Sequence, residues 1–137
     1  MITVFEAKLE ELVAQGPDPD RVVTTLTANP LETLTNYTRC VSASGPQMVS
    51  DAMLWFHKDA IDCAIINGGF VRGDTTYPPG HQLLYRNLMT EMPFPKNTTV
   101  VRIKGRDLKE AVDQQLRFAP KPSGAFPHYS HNVRVRL

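Results

Sequence analysis

The sequence has almost no excess of charge, no long apolar run and few cysteines. Its 15 lysines and arginines nearly balance its 14 aspartates and glutamates, which leaves a formal net charge of +1. Such a chain has no field that would draw it to nucleic acid or to an anionic membrane. No apolar stretch approaches the roughly 20 residues that span a bilayer, and the N-terminus lacks a signal-peptide pattern. We therefore expect neither nucleic acid nor a membrane among its partners.

The sequence also lacks a recognisable catalytic or metal-binding motif. It contains no P-loop, no dinucleotide-binding fingerprint and no nucleophile turn. His57 lies near Asp59 and Asp62, but this group falls at the end of a predicted helix. His128 and His131 lie in or beside a predicted strand, where residues three apart point to opposite faces. The sequence therefore predicts no catalytic residue and no metal ligand.

The length bounds the organisation of the chain. A sequence of 137 residues is long enough for one domain with a hydrophobic core and too short for two. We find no internal repeat and no domain boundary, so residues 1–137 are predicted to form a single domain. Cys40 and Cys63 are compatible with two free thiols or with one bridge.

Hydrophobic periodicity and turn residues predict an α+β fold with helices packed on mixed β-strands. Residues 31–45 are predicted to form an extended connection, and residues 73–80 and 120–124 to form loops. The predicted helices are residues 4–15, residues 46–58, a short helix carrying Leu83, Leu84, Leu88 and Met92, and a helix capped by Asp107 that continues to Leu116. The predicted strands are residues 22–28, 63–66, 100–103 and 133–137.

The most informative stretch is residues 62–72, in which a short apolar run ends at Asn67 and two glycines follow. The glycines allow the backbone to turn and to approach a bound group closely. The amide of Asn67 can donate and accept hydrogen bonds, and the guanidinium of Arg72 offers paired donors for phosphate or other paired oxygens. A strand end of this kind favours a site for a small polar ligand, although an ordinary strand exit with a solvated arginine also fits.

A second notable residue is Phe94, which stands between Pro93 and Pro95. The prolines restrict the backbone, so the ring is held at low entropic cost. A rigid, exposed ring is a platform for a planar base, and such a stack is worth about 1–3 kcal/mol. The alternative interpretation is a core phenylalanine that anchors the loop.

Taken together, several spaced segments resemble the C-terminal domain of the 5′-nucleotidase family. The resemblance begins near residue 22, continues to the end of the sequence and keeps the order of the family. The segments are Arg39, residues 50–53, 62–72, 92–94, 101–111 and 123–127.

The resemblance implies that this domain holds a nucleotide and presents its phosphate to a separate N-terminal domain. That N-terminal domain carries two metal ions and the catalytic His and Asp residues. By resemblance, Arg39 and Arg72 contact ribose and phosphate oxygens. Asn67 hydrogen-bonds the base with the backbone of Gly69 close by, and Phe94 stacks on one face of the base.

Three departures from the family pattern stand out. Phe70 occupies a position where the family often has a third glycine, which either narrows the turn or adds a second aromatic ring near the base. Residues 42–47 lack the usual acidic residue and Asn-x-Gly. The sequence reaches Leu137 without the later Gly-Gly-Asp-Gly segment and its second stacking aromatic. We therefore expect half of the base-binding sandwich, and the metal domain, to lie outside this sequence.

The resulting prediction is a recognition domain that orients nucleoside phosphates for a dimetal catalytic domain, which is present in cis if the chain is a fragment. Because phosphomonoester hydrolysis needs metal-activated water, the chain alone is predicted to be inactive and to hold no cofactor. The alternatives are a stand-alone nucleotide-binding module and an inactive structural module. A sheet edge left unpaired by a missing segment would favour self-association.

Overall fold

The computed structural model describes residues 16–94 and 97–135, so the predicted helix over residues 4–15 lies outside the described residues. The described chain contains both helices and small two-stranded antiparallel sheets, which confirms the α+β class. The strands are β1 (Val22–Thr25), β2 (Leu31–Glu32), β3 (Ile65–Asn67), β4 (Thr76–Tyr77), β5 (Gln82–Leu84) and β6 (Pro127–Tyr129). The helices are α1 (Thr35–Thr38), α2 (Ser44–His57), α3 (Tyr85–Glu91) and α4 (Gly105–Leu116), with a 3₁₀ turn at Lys58–Ala60.

Each described strand pairs with one that is distant in sequence. The antiparallel pairs are β1 with β5, β2 with β4 and β3 with β6. The third pair places Ile66 opposite His128 and Asn67 opposite Pro127. This pairing brings the end of the glycine stretch against the C-terminal part of the described chain.

Helix α2 lies between two small hydrophobic clusters and joins them. Met48 packs against the first cluster, which consists of Leu31, Tyr77 and Leu83. Met53 packs against the second cluster, which consists of Val49, Ile66 and Val71. The N-terminus of α2 is anchored by Ser44, whose hydroxyl donates to the carbonyl of Pro30 and accepts from the N–H of Glu32. None of the described helices is long and apolar enough to cross a membrane.

Two predicted strands are wrong. Residues 100–103 form no strand, and the side chain of Val101 is 70 % exposed. β-branched composition favours a strand only where a neighbouring strand supplies hydrogen bonds and packing, and residues 100–103 pair with no described strand. Residues 133–135 are also irregular, and residues 136 and 137 lie outside the described range. The strand in this region is β6, which sequence alternation did not indicate.

Smaller differences concern the ends of elements. Residues 31–45 contain β2 and α1 rather than a continuous extended connection, and β4 interrupts the predicted loop at residues 73–80. The strand predicted at residues 63–66 lies at Ile65–Asn67. Helix α4 begins at Gly105, so Asp107 lies inside the first turn and is not the N-cap. Cys40 and Cys63 are both free thiols.

Candidate functional site

The glycine turn after β3 is joined to the loop that precedes β6. The N–H of Gly68 donates to the carbonyl of Phe126 at 2.6 Å, and the N–H of Gly69 donates to the carbonyl of Gly124 at 3.0 Å. The carbonyl of Asn67 accepts from the N–H of Phe70 at 2.9 Å, which closes the turn. The backbone of the turn is therefore held from both sides before any ligand is considered.

Gly68 also packs against the end of α1. A Cβ atom on Gly68 would overlap the carbonyl oxygen of Thr38, so no larger residue fits this backbone. The same carbonyl accepts a hydrogen bond from Nε2 of His128 at 2.7 Å. Burial lowers the pKa of His128, and the hydrogen bond to Thr38 only partly opposes this effect. A neutral ring that donates through Nε2 satisfies the buried carbonyl.

Arg39 follows Thr38 and is fixed through its own backbone. Its carbonyl accepts from the N–H of Ser123 at 2.8 Å. Its Nε is buried and has no hydrogen-bond partner among the described residues. Hydrogen bonds from Thr35 lower the pKa of the exposed Asp74, and the positive charge of Arg39 adds to this effect. The guanidinium of Arg39 therefore lies near Asp74.

Arg72 and Phe94 form a cation–π pair. The Cζ atom of Arg72 lies 5.7 Å from the centroid of the Phe94 ring. Nη1 of Arg72 also donates to the carbonyl of Gly69 at 3.4 Å, a long and weak bond. The ring is 52 % exposed, so the pair lies at the surface, where such contacts are worth about 0.5–1 kcal/mol. A positive group and an accessible ring thus stand side by side next to the glycine turn.

The side chain of Asn67 is exposed and only partly used by the protein. Its Nδ2 donates to the carbonyl of Gly124 at 2.8 Å. This bond orients the amide and uses one of its two N–H groups. With respect to residues 16–94 and 97–135, the second N–H and the two lone pairs of Oδ1 remain as hydrogen-bonding capacity.

The five predicted site residues thus fall into two connected groups. The loop at residues 123–126 holds Arg39, Asn67 and Gly69 through backbone carbonyl and N–H groups. Arg72 contacts Gly69 and Phe94. Their ligand contacts stay predictions.

The Phe70 departure from the family pattern has a structural role. Phe70 is half-buried and packs against the cluster of Val49, Ile66 and Val71. The ring of Phe70 therefore helps to attach the turn to this hydrophobic cluster.

The sequence did not indicate the buried residues whose hydrogen bonds hold the backbone of the site in place. Thr38 and His128 meet through a hydrogen bond that joins residues 90 positions apart, and no local pattern indicates such a bond. Glu91 is different, because it is buried on α3 three residues after Leu88. Helical periodicity from Leu84 through Leu88 places Glu91 on the inward face, and this signal could have identified it.

A cavity of about 420 Å³ lies elsewhere, between the N-terminal end of α2, β6 and residues 133–135. Its lining includes Gln47, Leu116, Tyr129 and Arg134, and none of the five predicted site residues. Burial raises the pKa of Tyr129 to about 12, with a smaller contribution from Cys63. The predicted ligand-binding surface thus does not coincide with this cavity.

The histidines considered as metal ligands are placed in separate contacts. His57 contacts the hydroxyl of Thr98 at 3.0 Å, and His131 pairs with Asp51 at 3.0 Å. Within residues 16–94 and 97–135, no three His, Cys, Asp or Glu side chains converge as a metal ion would require.

The fold and the arrangement of these side chains define an α+β domain with two arginines, an amide and an exposed ring grouped around a glycine turn. The chain matches the family described as "5′-nucleotidase, C-terminal domain" over residues 20–137, and it belongs to that family. It is also similar to a protein named "Probable 5′-nucleotidase" from Treponema pallidum (strain Nichols), at 34 % identity over 89 residues. This match covers 64 % of the chain but only 14 % of the relative.

Proposed function

We propose that this domain binds a nucleoside phosphate and orients its phosphate toward a separate dimetal catalytic domain of a 5′-nucleotidase-type hydrolase. Membership of the 5′-nucleotidase C-terminal family supports this proposal. The observation that carries it is the pairing of Arg72 with Phe94 at 5.7 Å. A nucleotide combines an anionic phosphate with a flat base, and this pair offers a binding group for each.

The other three residues extend the same surface. Arg39 supplies a second guanidinium, and Asn67 supplies an amide that makes one hydrogen bond, to Gly124, within the described part of the chain. Gly69 lets the backbone come close to the ligand without a side chain in the way. In this proposal the arginines contact phosphate and ribose oxygens, Asn67 contacts the base edge, and Phe94 stacks on the base.

The chemistry of bond breaking is assigned to the other domain. Arginine and phenylalanine can bind and orient a phosphomonoester, but hydrolysis also requires an activated water molecule and charge neutralisation at the phosphorus. We propose that divalent metal ions held by the catalytic domain supply both, in cis or from a separate chain. Pure chain mixed with AMP and Mn²⁺ should release no phosphate in a malachite-green assay. Robust turnover by the pure chain would refute this division of labour.

Calorimetric titration with AMP, adenosine and inorganic phosphate tests the binding proposal. Arg72→Ala should weaken AMP binding more than adenosine binding, because it removes the phosphate partner and leaves the ring. Arg86→Ala is the matched control, since Arg86 is an exposed arginine that pairs with Asp20 outside the site. Absence of AMP and adenosine binding to the native chain would instead favour an inactive structural module. Unchanged AMP affinity in Arg72→Ala would remove the assigned role of Arg72.

A further inference from the structure

Glu91 is a buried carboxylate at the C-terminal end of α3, with a side chain that is only 2 % exposed. Its Oε1 accepts hydrogen bonds from the hydroxyls of Tyr77 at 2.8 Å and Thr33 at 3.1 Å. Its Oε2 accepts from the N–H of Gly73 at 2.9 Å. Among the described residues, no lysine or arginine forms an ion pair with it. The hydroxyl of Thr33 shares its single proton with the carbonyl of Thr75, which lies closer at 2.8 Å. Tyr77 and Gly73 are therefore the two full donors that compensate a carboxylate otherwise costly to bury.

The backbone of Glu91 adds a fourth contact, to the residue that precedes Gly73. Its carbonyl accepts from the N–H of Arg72 at 2.8 Å. Glu91 thus holds two consecutive residues that follow the glycine turn: its main-chain carbonyl binds Arg72 and its carboxylate binds Gly73. The fit is close, because a Cβ atom on Gly73 would overlap the carboxylate of Glu91.

Glu91 is also close to Phe94 along the chain. Phe94 follows Glu91 by three residues, across Met92 and Pro93. Pro93 restricts the backbone of this short link. Glu91 therefore connects the segment that carries the aromatic ring to the segment that carries the guanidinium.

We propose that Glu91 is a positioning residue that fixes Arg72 beside Phe94. Its carboxylate acts through Gly73 and makes no contact with a ligand. The geometric part of this inference is independent of any ligand, whereas its effect on nucleotide affinity rests on the proposed function. If Glu91 only stabilised the fold, neither the position of Arg72 nor the nucleotide affinity would depend specifically on its carboxylate.

Tyr77 provides the comparison that separates positioning from stability. Tyr77→Phe removes one hydrogen bond from the same buried group, but it leaves the bonds from Glu91 to Arg72 and Gly73 in place. Glu91→Gln is the conservative variant. Its amide oxygen can face the N–H of Gly73, while its NH₂ group faces the two hydroxyls, which can rotate to accept. Glu91→Leu removes every side-chain bond at similar volume.

The test is the NMR chemical shift of the Arg72 Nε–H group, which senses the ring current of Phe94. The shift in Phe94→Ala gives the reference value without the ring. We expect the Arg72 chemical shift in Glu91→Leu to move toward that reference value. The shift in Glu91→Gln and in Tyr77→Phe should stay near the native value. AMP affinity should follow the same order, with Glu91→Leu approaching Arg72→Ala. Should Glu91→Leu fail to fold, Glu91→Asp replaces it, because the shorter side chain withdraws from Gly73.

The outcomes separate the two proposals. A native Arg72 shift in folded Glu91→Leu or Glu91→Asp, with AMP still bound by the native chain, would overturn the positioning role and leave the proposed function intact. A displaced shift in a chain that binds no AMP would support the positioning role and contradict the proposed function. Equal displacement in Tyr77→Phe and Glu91→Leu would reduce Glu91 to a stabilising residue and overturn the inference.

Discussion

The carbonyl oxygen of Thr38 lies so close to the Cα of Gly68 that a methyl group on Gly68 would overlap it. The same oxygen is the acceptor for Nε2 of the buried His128. One backbone carbonyl therefore joins the end of α1, the glycine turn and β6. These contacts place Arg39, the next residue, at the edge of the turn.

Gly68→Ala should destabilise the domain, because the new methyl group meets main-chain atoms of Thr38 that cannot move aside without displacing α1. Overpacking of this kind usually costs about 1–3 kcal/mol. Gly105→Ala is the matched control, since a Cβ atom there meets nothing within 4 Å. Urea denaturation measures both variants. A free energy of unfolding for Gly68→Ala equal to that of the native protein would contradict the close contact.

This contact also shows what sequence could reveal about the site. The glycine turn, Asn67 and Arg72 lie within one short stretch, so local pattern was enough to select them. The partner segments at residues 38–39 and 123–128 are distant in sequence, and only the pairing of β3 with β6 brings them together. Composition and spacing do not encode such a long-range pairing in a single sequence, so the supporting roles of Thr38 and His128 were missed, and Arg39 was selected only through the family resemblance.

The helices and strands also differ in how well the sequence predicts them. Helices α2 and α4 carry apolar residues at helical spacing and were predictable within a few residues of their ends. The β-branched composition predicted β1 and β3. The strands β2, β4, β5 and β6 contain only two or three residues each, too few for alternation to distinguish a strand from a loop. The strand prediction for residues 100–103 failed because a β-branched composition alone does not form a strand. These residues have no partner strand among the described residues.

The buried His128 should make stability depend on pH. Burial lowers its pKa below the ordinary value of 6.5, so between the two values the unfolded chain binds more protons than the folded one. The stabilising contribution is complete above pH 6.5 and is lost as the pH falls through the folded pKa. Each unit of separation between the two pKa values corresponds to about 1.4 kcal/mol.

His128→Gln isolates this effect, because its amide NH₂ can still donate to the carbonyl of Thr38 but does not titrate. We expect the free energy of unfolding of the native protein to fall more steeply than that of His128→Gln between about pH 7 and pH 5. An NMR titration of the His128 ring protons checks the assignment directly. Parallel pH profiles for the two proteins would show that His128 does not titrate differently on unfolding.

Phe94→Ala should weaken adenosine binding, because the proposed stack on the base is lost while the arginines remain. The expected loss is about 1–3 kcal/mol, which corresponds to roughly a fivefold to 150-fold rise in Kd. Phe118→Ala is a close control, since Phe118 is also exposed and also has an arginine, Arg117, over its ring at 4.5 Å. Calorimetry with adenosine measures both. Equal affinities for Phe94→Ala and the native chain would show that the ring does not contact the base.

Three apolar residues that we together call the Trp55 surface are highly exposed, namely Trp55, Phe56 and Val101. These side chains are 73 %, 71 % and 70 % exposed. The contact between His57 and Thr98 at 3.0 Å holds the end of α2 beside the segment that leads to Val101. Because exposed apolar patches of this kind favour association, we expect the chain to self-associate as its concentration rises.

Sedimentation velocity over a wide concentration range tests this expectation, and the fluorescence of Trp55, the single tryptophan, provides a second readout. Phe56→Ser combined with Val101→Ser should shift the equilibrium toward monomer, because both changes remove apolar area from the Trp55 surface. Met89→Ser is the control, since Met89 is 53 % exposed on α3 and is not part of that surface. A native chain that remains monomeric at every concentration would argue against self-association. Equal effects of the double variant and Met89→Ser would place the contact elsewhere on the domain.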